Sequence, residues 1–169
     1  MRRLLVVHHS PTRSLRSLTD AVLEGAQDDA IDGVEVVSCA ALDFATGVAD
    51  ADDLLGADGY LLGTSANFGY MSGALKHVFD STYLRIGGAL SADGSADPSE
   101  GATKGRPFGL YVHGRYDTTG AVRSVLSIVG SLGWRQASEV LEVLGDVGEQ
   151  ERARAYELGA TVAALLMED

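Results

Sequence analysis

Hydrophobic and polar positions alternate between two patterns along this chain. Short apolar runs at residues 4–7, 59–64 and 108–113 stop at glycine, serine or polar clusters, as buried strands do. Between them, apolar residues recur every three or four positions: Leu15, Leu18, Val22 and Ala26; then Leu75, Val78, Phe79 and Thr82; then Val122, Val125, Leu126 and Val129. That period predicts helices with one buried face, the first starting just after residue 14 and the others over 72–84 and 118–132. A second strand is predicted at 34–38 and a fifth within 134–143. A short helix is expected at 50–55, and a long closing helix at 149–167 after a break at 145–148. Residues 40–49 are too small and irregular to assign.

Strand and helix in regular alternation are the pattern of a parallel sheet covered on both faces. Right-handed crossovers and a sheet wound in both directions favour a single doubly wound α/β domain over residues 1–169. Its five-stranded parallel sheet would run in the order 2-1-3-4-5. In that order the ends of strands one and three face each other at the topological switch point, and the loop after strand four completes the crevice. These three loops should then be the chemically distinctive ones, and they are. Residues 86–106, rich in Gly, Ser, Ala and Asp and containing Pro98, show no apolar period. They are expected to form a mobile excursion or a partner-binding arm in preference to a catalytic lid.

The first loop carries Ser10, Thr12, Arg13 and Ser14 between a buried strand and a helix start. Backbone N–H groups and the positive end of a helix dipole suit a phosphate there, and the hydroxyls add donors that need no ionisation. The same hydroxyls also suit helix capping, and both readings stand at this point. The loop is neither a G-x-G-x-x-G turn nor a P-loop. It resembles the flavodoxin phosphate loop, [ST]-x-T-x-x-[ST], with Ser10, Thr12 and Arg13 on its first, third and fourth positions. Leu15 stands at the sixth, where only its backbone N–H could serve.

The loop after strand three, residues 63–76, places Phe68 and Tyr70 beside Gly69 in a polar setting. Aromatic rings there can lie against a flat ligand ring, while Asn67 can donate to and accept from its heteroatoms. The plainer alternative is that Phe68 plugs the end of the sheet. The stretch resembles the corresponding loop of flavodoxin-like NAD(P)H:quinone oxidoreductases, G-T-P-T-R-F-G-N-M-S-G. Gly63, Thr64, Phe68, Gly69, Met71, Ser72 and Gly73 match it, and Ser65, Ala66, Asn67 and Tyr70 depart from it. The run Ser72-Gly73-Ala74-Leu75-Lys76-His77 is also similar to the S-G-x-L-K-N helix start of NADPH-dependent FMN reductases. The resemblance implies FMN as cofactor, held by Ser10, Thr12, Arg13, Ser14, Leu15, Ser65, Ala66, Asn67, Phe68, Gly69 and Met71. After strand four, it adds His113, Gly114, Arg115, Tyr116 and Asp117, with Tyr116 as a stacking aromatic; the residues themselves make Asp117 or Thr118 a candidate helix cap.

Composition narrows the partners. At 46% hydrophobic and 22% charged, 169 residues make an ordinary globular core. A net charge of −11 argues against nucleic acid or an anionic membrane and permits docking to basic partners. The single Cys39 allows no internal disulfide and is expected to be an inert, half-buried thiol; with no signal-peptide pattern, a cytoplasmic location is expected. The four histidines and one cysteine show no metal-ligand spacing, so no metal is expected.

Three classes follow from the residues and the resemblance. The first is an FMN-dependent oxidoreductase taking hydride from NAD(P)H and reducing a quinone, a flavin or a similar small acceptor. The second is a flavodoxin-type carrier trading single electrons with a redox partner protein, and the third is a flavin-free binding module on the same fold. Self-association into a homo-oligomer is compatible with each.

Overall fold

The structure, a computed structural model, describes residues 1–87 and 101–167. In chain order its elements are β1 (Arg2–His8), α1 (Arg13–Ala26), β2 (Val34–Ala40), α2 (Asp43–Thr46), α3 (Ala51–Leu55), β3 (Gly59–Asn67), β4 (Tyr70–Met71), α4 (Gly73–Ile86), β5 (Pro107–Gly114), α5 (Thr119–Ser131), β6 (Arg135–Gln136), β7 (Leu141–Leu144) and α6 (Glu149–Ala164).

Leu4, Leu5, Val6 and Val7 are all fully buried, which requires β1 to be covered on both faces. It pairs in parallel with β2 on one side and β3 on the other, and β3 pairs in parallel with β5. The parallel order is β2-β1-β3-β5 followed by β6 and β7, which is the predicted 2-1-3-4-5 winding. Two details differ from the five-strand expectation. The fifth strand is split: β5 advances three residues from Phe108 to Tyr111 while its partner advances five from Gln136 to Leu141, so the surplus bulges out. In addition β3 runs on past Thr64 to Asn67 and turns back through the antiparallel β4. Part of the unassigned 40–49 stretch forms the short α2, which Asp43 opens by accepting from Ala40 N–H at 3.1 Å.

Strand alternation sends Leu4, Val6, Leu61, Tyr111, Leu141 and Val143 to the face covered by α1 and α6. The opposite face, under α2 to α5, receives Leu5, Val7, Leu62, Leu110 and Val112. α1 and α6 touch backbone to backbone. A Cβ on Gly159 would lie 2.9 Å from Ala26 N, and one on Gly25 would lie 2.7 Å from the carbonyl carbon of Tyr156. Only glycine permits that approach.

At the amino end of the sheet, Trp134 stacks on Tyr60 with ring centroids 3.9 Å apart. Its Nε1 donates to Thr103 Oγ1 at 2.8 Å, and Thr103 donates to Ile86 O at 3.2 Å. Arg106 Nη1 donates to Leu54 O and Leu55 O, each at 2.9 Å. The described ends of the 86–106 segment are therefore anchored, with Ile86 and Thr103 buried in the core. Residues 88–100, on which the expected mobile excursion or partner-binding arm falls, lie outside the described residues. Among the described residues, no helix is long and apolar enough to cross a membrane.

Candidate functional site

The first loop leaves β1 at His8 and enters α1 at Arg13. Thr12 is the N-cap of α1, its Oγ1 accepting from Leu15 N–H at 3.2 Å. The capping role is thus filled, and the Leu15 N–H that an anion could have used is taken by Thr12; the Leu15 side chain is core. The N–H groups of Arg13 and Ser14, in the first turn, have no intrahelical acceptor. Arg16 Nη1 braces the loop by donating to Pro11 O at 2.9 Å, while Arg13 projects into solvent.

The second loop is a tight hairpin. Ala66 pairs with Met71 and Asn67 with Tyr70, leaving Phe68 and Gly69 as the two central residues at φ 50° and 75°. Both lie at positive φ, as a type I′ turn requires, and Phe68 is an unusual occupant of that position. The Phe68 side chain has 109% of its reference exposure, so it does not plug the sheet. Tyr70 beside it is half exposed. Met71, by contrast, is 2% exposed and its side chain packs in the core with residues of α4 and α5, so it is not a side-chain contact for a ligand. Ser72 N–H donates to Thr64 Oγ1 at 2.9 Å, and Ser72 Oγ caps α4 by accepting from Leu75 N–H at 3.2 Å. Thr64, Met71 and Ser72, which match the oxidoreductase pattern, thereby build the hairpin.

In the third loop Tyr116 is 89% exposed and Arg115 makes a solvent-exposed ion pair with Asp146 at 3.8 Å. Asp117 Oδ1 accepts from Thr119 N–H at 3.0 Å and from Thr119 Oγ1 at 2.7 Å, which holds its carboxyl below the usual range and does the capping, while Thr118 caps nothing with its side chain. His113 Nε2 is bound to Gly145 O at 2.7 Å, tying β5 to the loop after β7. Gly114 sits close against Asp117 O and Ala66 Cβ, so the second and third loops touch.

Beneath the loops runs a line of polar groups that the hydrophobic pattern did not reveal. His8 Nε2 meets Ser38 Oγ at 3.3 Å, His8 Nδ1 meets Ser10 Oγ at 3.0 Å, Ser10 Oγ meets Thr19 Oγ1 at 2.7 Å, and Thr19 Oγ1 meets Tyr111 OH at 2.9 Å. Tyr111 fits because Gly63 pairs with it across β3 and β5; a Cβ on Gly63 would overlap its ring. Burial pushes the Tyr111 hydroxyl far above the ordinary tyrosine range. Burial also lowers the pKa of His8, against the opposing pull of Asp20 and Asp43. Two buried polar atoms near the same strand ends have no partner among the described residues: Ser65 Oγ and His9 Nδ1. Cys39 lies apart on the edge strand β2, its thiol pushed up to about 11 chiefly by burial, in keeping with an inert role.

The tertiary structure thus gathers the three loops at the carboxyl ends of β1, β3 and β5 and presents Arg13, Asn67, Phe68, Arg115 and Tyr116 to solvent there. His8, His9, Thr19 and Tyr111 join them from below. A bulky residue facing a glycine on the neighbouring strand would have signalled Tyr111, but that pairing is visible only once the strands are in register. A separate cleft of about 410 Å³ among Arg2, Asp58, Lys104 and Arg106 lies at the opposite end of the sheet, away from these loops.

No family model and no curated protein matches the sequence. Solved structures do. A flavodoxin from the domain Archaea superposes with TM-score 0.74 at 16% identity, over 97% of this chain and 98% of the other. A flavodoxin of Streptococcus pneumoniae TIGR4 gives 0.68 at 20% identity, over 96% and 99%. A WrbA-like flavodoxin of Agrobacterium tumefaciens gives 0.69 at 17% identity, over 98% of each chain. At these identities the likeness is one of architecture, and it extends over nearly the whole of both chains: this chain has the flavodoxin-like fold.

Proposed function

We propose that the protein binds FMN at its switch point and acts as an NAD(P)H-dependent oxidoreductase that reduces a quinone, a flavin or a similar small acceptor. The observation that carries this reading is Phe68: a fully exposed aromatic held at φ 50°, at the tip of a hairpin that rests on the first turn of α5. An exposed ring in a backbone conformation costly for it needs a reason outside the fold, and a flat ligand supplies one. The residues present fit the group. First-turn N–H groups of α1 suit a phosphate. The unpartnered Ser65 Oγ and His9 Nδ1 would gain partners, and Phe68 and Tyr116 can lie against a ring system. Nothing among the described residues offers an adenosine site, which favours FMN over FAD. Bound flavin supplies the redox chemistry; the chain supplies position and electrostatics.

Hydride transfer needs one ring face open to the nicotinamide. The only Trp of the chain, Trp134, is buried against Tyr60 at the other end of the sheet, so no Trp shields the site. The carrier reading draws on a different observation: Phe68 and Tyr116 stand exposed on neighbouring loops of a strongly acidic chain, an arrangement that could cover both ring faces.

Titration by flavin fluorescence separates the classes first. FMN should bind at micromolar levels and FAD more weakly; failure of FMN to bind leaves only a flavin-free module. The FMN-loaded protein should then oxidise NADPH or NADH in the presence of a benzoquinone. Binding without turnover of either nicotinamide would assign the carrier role instead.

A further inference from the structure

The polar line under the first loop has a direction. Tyr111 is fully buried and its hydroxyl bonds Thr19 alone among the described residues, so it must donate to Thr19 or bury an unbonded proton. Thr19 then donates to Ser10, and in the neutral tautomer of His8 that carries its proton on Nε2, Ser10 donates to the Nδ1 lone pair while Nε2–H donates to Ser38. In that state every hydrogen from Tyr111 to His8 is used, and Ser10 has none to offer an anion. A proton on Nδ1 changes one link. His8 becomes the donor to Ser10, which now accepts from both His8 and Thr19 and turns its own hydrogen outward.

We propose that anion binding in the loop of residues 10–14 takes up a proton at His8, with Ser10 switching between the two partners. The inference rests on reading this loop as the seat of the FMN phosphate. His8, Thr19 and Tyr111 are then positioning residues for the anion. The proton comes from solvent and goes to Nδ1, and no other bond is made or broken. A second observation is an unmet polar group on the neighbouring strand end. Ser65 is 7% exposed, its Oγ has no partner, and it lies on the same sheet face as Gly63, which pairs with His8. Around His8, Asp20 of α1 and Asp43 of α2 favour the proton and His9 opposes it; the residues paired with it, Ala40 on β2 and Gly63 on β3, carry no charge. Burial outweighs the two carboxylates, so the free protein holds His8 neutral near pH 7, and the arriving anion tips the balance.

Three probes, each followed through the His8 ring by NMR titration of the full chain, test the coupling: FMN, riboflavin, and sulfate, which does not titrate near neutrality. FMN and sulfate should raise the His8 midpoint by about one pH unit, equivalent to roughly tenfold tighter anion binding below it than above. Riboflavin should leave it in place. In His8→Asn, whose fold is checked by circular dichroism, the preference for FMN over riboflavin should lose its dependence on His8 and vary only with ionisation of the phosphate itself. FMN binding with an unmoved His8 midpoint, or a midpoint raised equally by riboflavin, overturns the coupling and leaves the FMN reading standing. If neither FMN nor sulfate binds, both fall.

Discussion

The carbonyl oxygen of Gly69 fills the space where a Cβ on Gly120 would lie, so the tip of the β3–β4 hairpin rests on the first turn of α5. The contact is backbone on backbone and leaves Phe68 projecting beyond it. Gly120→Ala must push the hairpin or the helix away. The expected cost is about 1–3 kcal/mol in urea unfolding, with a larger loss in FMN affinity than the stability change alone explains. Gly73→Ala, in the same region but with open space around its Cβ, should be neutral or stabilising.

Phe68 is held at φ 50° while its side chain touches almost nothing, so its conformation costs stability without returning packing. Phe68→Asn, a residue that accepts the left-handed region, should raise stability by about 1 kcal/mol in urea unfolding. The same variant should weaken FMN severalfold or more. Opposite signs in the two measurements would mark Phe68 as a ligand contact; a loss in both would make it a structural residue.

Thr12 serves α1 as its N-cap and stands where the phosphate is expected. Thr12→Ala should destabilise the protein by about 1 kcal/mol. It should also weaken FMN much more than riboflavin, since only FMN carries the phosphate. Equal losses for the two ligands, measured by fluorescence titration, would detach the loop from the phosphate.

Tyr60 donates to Leu54 O at 2.7 Å, and burial pushes its hydroxyl up to about 12 despite the nearby Arg106. Unfolded, the same group ionises near its ordinary value of 10.0. Between those values the unfolded chain has lost a proton that the folded chain keeps. Stability from this residue is therefore whole below pH 10 and drains away as pH rises towards 12, by on the order of 2 kcal/mol. Urea unfolding from pH 8 to 12 should show a steeper alkaline decline in the wild type than in Tyr60→Phe.

Much of the architecture was legible from one dimension. Unbroken burial of Leu4 to Val7 and the three helical stripes follow from side-chain periodicity alone, because a strand covered twice and a helix covered once leave different apolar patterns. With right-handed crossovers, those patterns also led to the winding order, and the order located the three loops. What periodicity could not reach were relationships across strands. The split of the fifth strand depends on a surplus of residues against β5, and the hairpin at Phe68 depends on Tyr70 and Met71 finding Asn67 and Ala66. Met71 and Ser72 matched a ligand-loop pattern, yet one is core and the other a helix cap, since burial is a property of the folded neighbourhood. The line from Ser38 through His8, Ser10 and Thr19 to Tyr111 joins β2, β1, α1 and β5. Ser38 and Tyr111 are far along the chain from the other three, and neither stands out in the sequence. Only the packing of α1 onto the sheet, with Gly63 making room for the Tyr111 ring, brings those hydroxyls within hydrogen-bonding distance.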